Sequence, residues 1–269
     1  MIAFPNCKLN LGLNIIRKRE DSFHDLETVF LPIPFTDTLE IIASDKTEFT
    51  VTGLRVSADE NNLCIKVYNL LKQDFPDVPA IKMHLHKVIP LGAGLGGGSS
   101  DAAFTLLLLN EKFKLNLKTE QLLDYALQSG SDGPFFIINK PCFATGRGET
   151  LKPINIDLTN YKLLLVNPGI HIDTKWAFSK IIPQEQKLSI KEIITHPIET
   201  WKEHLQNDFE DSVFKEYPEI GKIKSDLYQQ GSVYASLSGS GSTVFGIFRK
   251  EDNIEYKNDK YFHKIIDLT

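Results

Sequence analysis

Cysteine is scarce in this sequence: three residues in 269, at positions 7, 64 and 142, with no CxxC pair. An odd, scattered set argues against a disulfide framework and fits a reducing compartment. Cys7 reads as a small strand residue rather than a reactive thiol. A surplus of positive charge is also missing. Lys and Arg total 30 against 35 Asp and Glu, a net charge of -5, and no run of one sign exceeds a few residues. A nucleic-acid groove needs a basic face, so generic nucleic-acid binding is disfavoured, although single lysines and backbone N–H groups still suffice for a small anion. Long apolar runs are lacking too. The longest, around residues 102–109, is far short of a membrane span, and the first residues carry no basic stretch ahead of an apolar one. The expectation is a soluble, cytoplasmic protein with no membrane or nucleic-acid partner.

What is present is ordinary globular material, with 42% hydrophobic and 24% charged residues. That excludes disordered and low-complexity classes, and the length suits one large domain or two modest ones. Alternating apolar and polar residues predict a strand over 4–16, with Lys8, Asn10 and Gly12 on one face and Leu9, Leu11 and Leu13 on the other. Further strands are predicted over 38–43, 48–52, 81–88, 135–138, 142–145, 161–166, 233–237 and 243–248. Helices are predicted over 62–71, 99–113, 119–128 (Thr119 as N-cap), 174–181 and 208–230. Strands and helices mixed in this way indicate an α+β fold. A break in pattern after residue 151 suggests domains of 1–152 and 153–269.

The densest signal is Pro90-Leu-Gly-Ala-Gly-Leu-Gly-Gly-Gly-Ser-Ser100, with five glycines in the seven residues from Gly92 to Gly98. Each glycine costs about 0.5–1 kcal/mol in chain entropy relative to alanine, and a bland turn needs only one or two. Such a loop offers close backbone approach and free N–H groups, and the helix N-terminus after it adds donors and a positive dipole end. Phosphate binding is the reading. Gly92, Gly94 and Gly97 match the spacing G-x-G-x-x-G, but no acidic residue closes a following strand, so a dinucleotide site is disfavoured. A P-loop is absent because no Lys precedes Ser99. A second glycine loop, Ser236-Leu-Ser-Gly-Ser-Gly-Ser-Thr243, reads either as a hairpin turn or as a lid on the same triphosphate.

Asp132, in Ser-Asp-Gly-Pro just before an apolar run, reads locally as a turn aspartate, and Lys8 alone as a solvated lysine. Joined to a phosphate loop they form a chemical set. Phosphoryl transfer needs a triphosphate cradle, magnesium, a carboxylate for the acceptor's proton and a cation against developing charge. His84 and His86 share a strand face with Lys82 and read as solvent-facing rather than metal-binding. Asn207-Asp-Phe-Glu210 reads either as magnesium ligands or, more simply, as a helix cap by Asn207 or Asp208.

The order and spacing of Lys8-Leu-Asn-Leu, Gly94-Leu-Gly-Gly-Gly-Ser-Ser-Asp-Ala-Ala103 and Gly130-Ser-Asp-Gly-Pro-Phe-Phe136 resemble the GHMP kinases. Phe23-His-Asp-Leu-Glu-Thr, Gly146-Arg-Gly-Glu149 and Pro168-Gly-Ile-His-Ile-Asp-Thr174 resemble the branch acting on a cytidine-diphosphate-linked methylerythritol. The resemblance implies a two-domain α+β fold with its site in the interdomain cleft, ATP and Mg2+ as cofactors, and a monomer or homodimer. It makes Asp132 the base and Lys8 its partner. Pro90, Leu91, Gly92, Ala93, Gly94, Leu95, Gly96, Gly97, Gly98, Ser99 and Ser100 would hold the phosphates. Lys87 would reach the adenine side, and Ser100 would meet the metal. Phe23 and Phe178 would sandwich the pyrimidine, with His24 on its edge. Asn10, Asp132, Thr174 and Gly239 complete the expected substrate contacts. Ser22-Phe23 stands where Gly-Tyr is commoner, which keeps the stacking face and drops a hydroxyl. A sugar or isoprenoid alcohol kinase of the same family, a non-catalytic ATP sensor and a dinucleotide oxidoreductase are the rival readings.

Overall fold

Alternation begins in earnest at β2 (Asn6–Lys18), a 13-residue strand. Both of its faces are buried as far as Ile15, so Lys8, Asn10 and Asn14 are enclosed along with Leu9, Leu11 and Leu13. Enclosed polar groups need partners, and that demand shapes the site. The structure, a computed structural model, describes residues 1–184 and 188–268. The chain divides into two compact units whose segments interleave. Unit 1 takes Met1–Cys7, Phe35–Leu91 and Gly96–Lys140; unit 2 takes Lys8–Pro34, Gly92–Leu95 and Pro141–Thr269. The boundary expected at residue 152 therefore does not separate them: the chain crosses between units several times.

Unit 1 is built on a sheet ordered β1 (Ile2–Ala3), β4 (Thr38–Ala43), β6 (Ile81–Lys87), β5 (Glu48–Gly53), in which only the β5–β6 pair is parallel. Against it lie α1 (Leu63–Asp74), α2 (Gly97–Lys112), α3 (Thr119–Ser129) and α4 (Gly133–Ile138). Leu39, Ile41, Met83 and Leu85 of the sheet share a core with Val67 and Leu71 of α1 and Leu106 and Leu109 of α2.

Unit 2 holds two sheets. One runs β2, β3 (His24–Thr36), β7 (Cys142–Thr145), β8 (Thr150–Pro153). The other is antiparallel and runs β10 (Tyr234–Leu237), β11 (Val244–Arg249), β9 (Tyr161–Asn167), β12 (Phe262–Asp267). Its helices are α5 (Thr174–Ser179), α6 (Ile190–Ile193), α7 (Trp201–His204), α8 (Glu210–Glu216) and α9 (Pro218–Gln229). No helix among the described residues is long and apolar enough to cross a membrane.

Three sequence readings are corrected. Residues 135–138 are helix, not strand: Pro134 sits in the first turn of α4, and a four-residue apolar run carries no decisive period. The helix expected over 208–230 is broken in two where Pro218 opens α9. Thr119 is the first residue of α3, and Lys118 is its N-cap. Four strands, β1, β3, β8 and β12, had no reading. Pro32 and Pro34 argue against a strand locally, yet both lie in β3.

The junction of α3 and α4 depends on one missing side chain. A Cβ on Gly133 would stand 2.3 Å from the Ala126 carbonyl oxygen. Gly133→Ala is expected to lower stability by about 1–3 kcal/mol, read as a fall in urea midpoint at constant slope. An unchanged midpoint would show that α4 is not seated this closely.

Candidate active site

In unit 2 the polar face of β2 is satisfied by a short relay. Lys8 Nζ donates to Asn10 Oδ1 at 2.5 Å and stands 4.9 Å above the Phe30 ring. Asn10 Nδ2 donates to Thr28 Oγ1 at 3.0 Å, and that hydroxyl donates to the Gly12 carbonyl at 2.5 Å. Lys8 is only 4% exposed, so its ammonium is aimed by burial as well as by the hydrogen bond.

The same strand edge grips the middle of the first glycine loop. Lys8 N–H donates to Leu95 O at 3.0 Å, and Thr243 N–H to Ala93 O at 3.2 Å. Ser238 Oγ donates to Gly94 O at 2.8 Å. Gly94, at φ +75°, has no room for a side chain: a Cβ would lie 1.8 Å from Ser238 O. The second glycine loop is therefore more than a hairpin turn, because its backbone is packed on the backbone of the first. Gly239, at φ +56°, faces the Asn10 side chain, with a Cβ reaching 3.4 Å from Asn10 Oδ1.

In unit 1, α2 opens on Gly96, a left-handed N-cap with no capping side chain. The first-turn N–H groups are thus left for a ligand. Gly98 is exposed, and its nearest neighbour to a Cβ would be Leu63 Cδ1 at 3.7 Å. An uncapped helix start with a bare, open glycine fits a phosphate group. Ser99 is half-buried and faces Gly130, in the turn that carries Asp132. Asp132, also half-buried, is the N-cap residue of α4, but its side chain makes no capping bond. The Ser100 hydroxyl, expected at the metal, is enclosed on the fourth residue of α2 and has no hydrogen-bond partner. Pro90 and the exposed Leu91 lead into this turn.

Lys87 also departs from expectation. Its side chain is folded into unit 1, where its ammonium pairs with Asp37 and, at 2.8 Å, with Asp101. Asp37 further accepts the N–H groups of Val88 and Ile89. The ammonium lies beneath the start of α2, 3.0 Å from where a Cβ on Gly97 would be. Burial alone would lower the Lys87 pKa, but Asp101 and Asp37 outweigh it and raise it. Burial pushes the Asp101 carboxyl up to about 7 against the pull of Lys87. A strand-end lysine points to solvent only if no carboxylate waits inside, and here the partner at Asp37 is distant in sequence.

The aromatic groups are arranged differently from the sandwich expected. His24, not Phe23, stacks on Phe178, with centroids 4.9 Å apart and planes at 20°. Phe178 meets Phe209 edge-on. Phe23 is half-exposed, with the Arg147 guanidinium 4.6 Å over its ring. Neighbours entering an extended strand point to opposite sides, so only one of the pair can face Phe178. Burial, then Lys18, lowers the His24 pKa and keeps the imidazole neutral. Ser22 has φ +69°, which explains why glycine suits this position. Thr174 Oγ1 lies 3.5 Å from Ser240 Oγ on the second glycine loop.

One neighbour of the loop went unread in the sequence. His171 Nδ1 would lie 3.1 Å from a Cβ on Gly92, and its position inside Pro168–Thr174 was the available signal. His84 and His86 hydrogen-bond Thr50 and Thr52 on the open face of β5 and β6. Neither Asn207 nor Asp208 is the N-cap of α8, which is Phe209. No cluster of three or more His, Cys, Asp or Glu fit for a metal occurs among the described residues.

The raised Asp101 pKa has a measurable consequence. A carboxyl held above its ordinary value of 3.8 favours the folded state while protonated. That contribution is complete below 3.8 and is lost as pH rises through about 7. Asp101→Asn stays neutral throughout, so its melting temperature relative to the parent is expected to rise from about pH 4 to about pH 7 and to level off above that. A pH-independent difference would contradict the assignment.

Comparison with known proteins shows the family. Residues 62–140 match the GHMP kinases N terminal domain, and residues 189–263 match GHMP kinases C terminal. The Bacteroides fragilis protein named 4-diphosphocytidyl-2-C-methyl-D-erythritol kinase is 51% identical over 259 residues, 94% of each chain. Its namesake from Cytophaga hutchinsonii is 46% identical over 260 residues, 96% of each chain. A crystal structure of 4-(cytidine 5'-diphospho)-2C-methyl-D-erythritol kinase superposes with a TM-score of 0.79 at 29% identity, covering 91% of this chain and 89% of that one. The chain belongs to the GHMP kinases, in the 4-diphosphocytidyl-2-C-methyl-D-erythritol kinase family, and is an ATP-dependent small-molecule kinase.

Proposed function

We propose that this kinase moves the γ-phosphoryl group of ATP to the 2-hydroxyl of 4-diphosphocytidyl-2-C-methyl-D-erythritol, a step of the non-mevalonate route to isoprenoid precursors. The observation that carries the reading is the near full-length identity with proteins named for that substrate. The buried Lys8–Asn10 relay and the uncapped start of α2 support it from the structure.

The open N–H groups from Gly96 to Ser99 would hold the triphosphate, with the α2 dipole adding a favourable field. Asp132 takes the proton of the acceptor hydroxyl as its oxygen attacks the γ-phosphorus and the bond to the β-phosphate oxygen breaks, releasing ADP. Lys8, aimed by Asn10, offsets the negative charge that builds during transfer. Magnesium bound with the nucleotide would neutralise phosphate oxygens, and the enclosed, unpartnered Ser100 hydroxyl is the group on α2 that would meet it. His24, kept neutral, can hydrogen-bond a pyrimidine edge, while Phe23 presents an exposed ring for stacking. Arg147 covers the opposite face of that ring and holds it in place.

ADP release measured with the diphosphocytidyl substrate, beside mevalonate, homoserine and galactose, tests this directly. Turnover is expected with the first alone. Asp132→Asn is expected to lower kcat about 10²–10⁴-fold, and Lys8→Met to fall in the same direction. Turnover with another of these alcohols would overturn the substrate, and an undiminished Asp132→Asn would overturn the base.

A further inference from the structure

Asn207 and Glu210 have no part in the reaction as described, yet both are buried polar side chains, 2% and 8% exposed. They lie on the turn entering α8, and that turn is fastened to the strand that carries Lys8. Leu13 N–H donates to Gln206 O at 2.8 Å, Asp208 N–H to Leu13 O at 2.9 Å, and Ile15 N–H to Asp208 Oδ2 at 2.6 Å. From this base both side chains reach the second glycine loop. Asn207 Nδ2 donates to Leu237 O and to Gly239 O, each at 2.8 Å. Glu210 Oε1 accepts Ser236 Oγ at 3.0 Å and Leu237 N–H at 2.9 Å. Their remaining oxygens are also used: Asn207 Oδ1 accepts Phe209 N–H, and Glu210 Oε2 takes Lys224 Nζ at 2.6 Å.

These bonds fall on either side of Ser238. That residue's hydroxyl donates to Gly94 O and accepts Asn10 N–H at 3.4 Å. Gly239 in turn faces the Asn10 oxygen that receives the Lys8 ammonium, 3.4 Å from where a Cβ would stand. A loop with glycines at positive φ on both sides of Ser240 has many conformations of similar energy, and its own backbone cannot choose among them. Buried, fully satisfied side-chain bonds can.

We propose that Asn207 and Glu210 are positioning residues for phosphoryl transfer. They fix residues 236–239, and through Ser238 and Asn10 they set the place of Gly94 and of the Lys8 ammonium. The proposal rests on the reading of Lys8 as a catalytic residue, so Lys8→Met serves as its reference.

The test compares steady-state kinetics of full-length variants, each assayed well below its own melting midpoint. Asn207→Asp keeps size and the Phe209 acceptor but sets a carboxylate against two carbonyl oxygens. Glu210→Ala removes both loop bonds, whereas Glu210→Gln keeps the acceptor and gives up only the Lys224 ion pair. Asn207→Asp and Glu210→Ala are expected to lower kcat about 10- to 100-fold, while the KM for the diphosphocytidyl substrate moves less than about 3-fold. Glu210→Gln is expected to stay within about 3-fold of the parent in kcat, as is Lys224→Met. Ser238→Ala cuts the same link at its far end with little change of volume, and it replaces any variant that does not fold; the same loss of kcat is expected of it. Parental kcat in Asn207→Asp or in Ser238→Ala would overturn the proposal, as would a loss in Glu210→Gln equal to that in Glu210→Ala. If Lys8→Met itself retains full activity, it is the reading of Lys8 that has failed.

Discussion

A single close approach, the Ser238 carbonyl oxygen against the Cα of Gly94, sets the geometry of unit 2 around Lys8. No side chain fits between them, since a Cβ would lie 1.8 Å from that oxygen. With the two backbones in contact, Ser238 Oγ can reach Gly94 O, Thr243 N–H can reach Ala93 O, and Leu95 O is left for Lys8 N–H. The first glycine loop is thus an extra rung between β2 and the second loop. Its glycines at 92 and 94 both have positive φ, which serves this packing as much as any ligand.

Each unit buries a lysine. In unit 2, Lys8 Nζ donates to the Asn10 amide oxygen and stands over the Phe30 ring. In unit 1, Lys87 faces two carboxylates, so the cluster carries one net negative charge when all three are ionised. Its work is structural: Asp37 ties the end of β6 and the following backbone together, and the ammonium supports the buried Gly97 at the start of α2.

Much of this was legible in the sequence where the demand is local. Glycine clusters state a backbone requirement in place, which is why both loops and the start of α2 stood out. Alternation located β2, β4, β5 and β6 to within a residue or two. What was hidden depends on partners far along the chain. Lys87 looked free because Asp37 lies 50 residues earlier, and Asn207 looked like a cap because Leu237 and Gly239 lie 30 and 32 residues later. The Phe135–Ile138 run was misread because four consecutive apolar residues carry no decisive period. The choice of His24 over Phe23 against Phe178 needed the strand's phase at its first residue, which the irregular turn at Ser22 obscures. Interleaving of the two units is likewise invisible to a reading that looks for one boundary.

Backbone contact at Gly94 is the central constraint, and Gly94→Ala tests it with the smallest possible change. The measurement is single-turnover phosphoryl transfer by the folded variant, with circular dichroism and a melting curve to establish folding. A folded protein whose transfer rate falls by about 100-fold or more is expected, because one methyl group must push apart the segments that place Lys8. A Gly94→Ala enzyme that transfers phosphate at the parental rate would contradict the account.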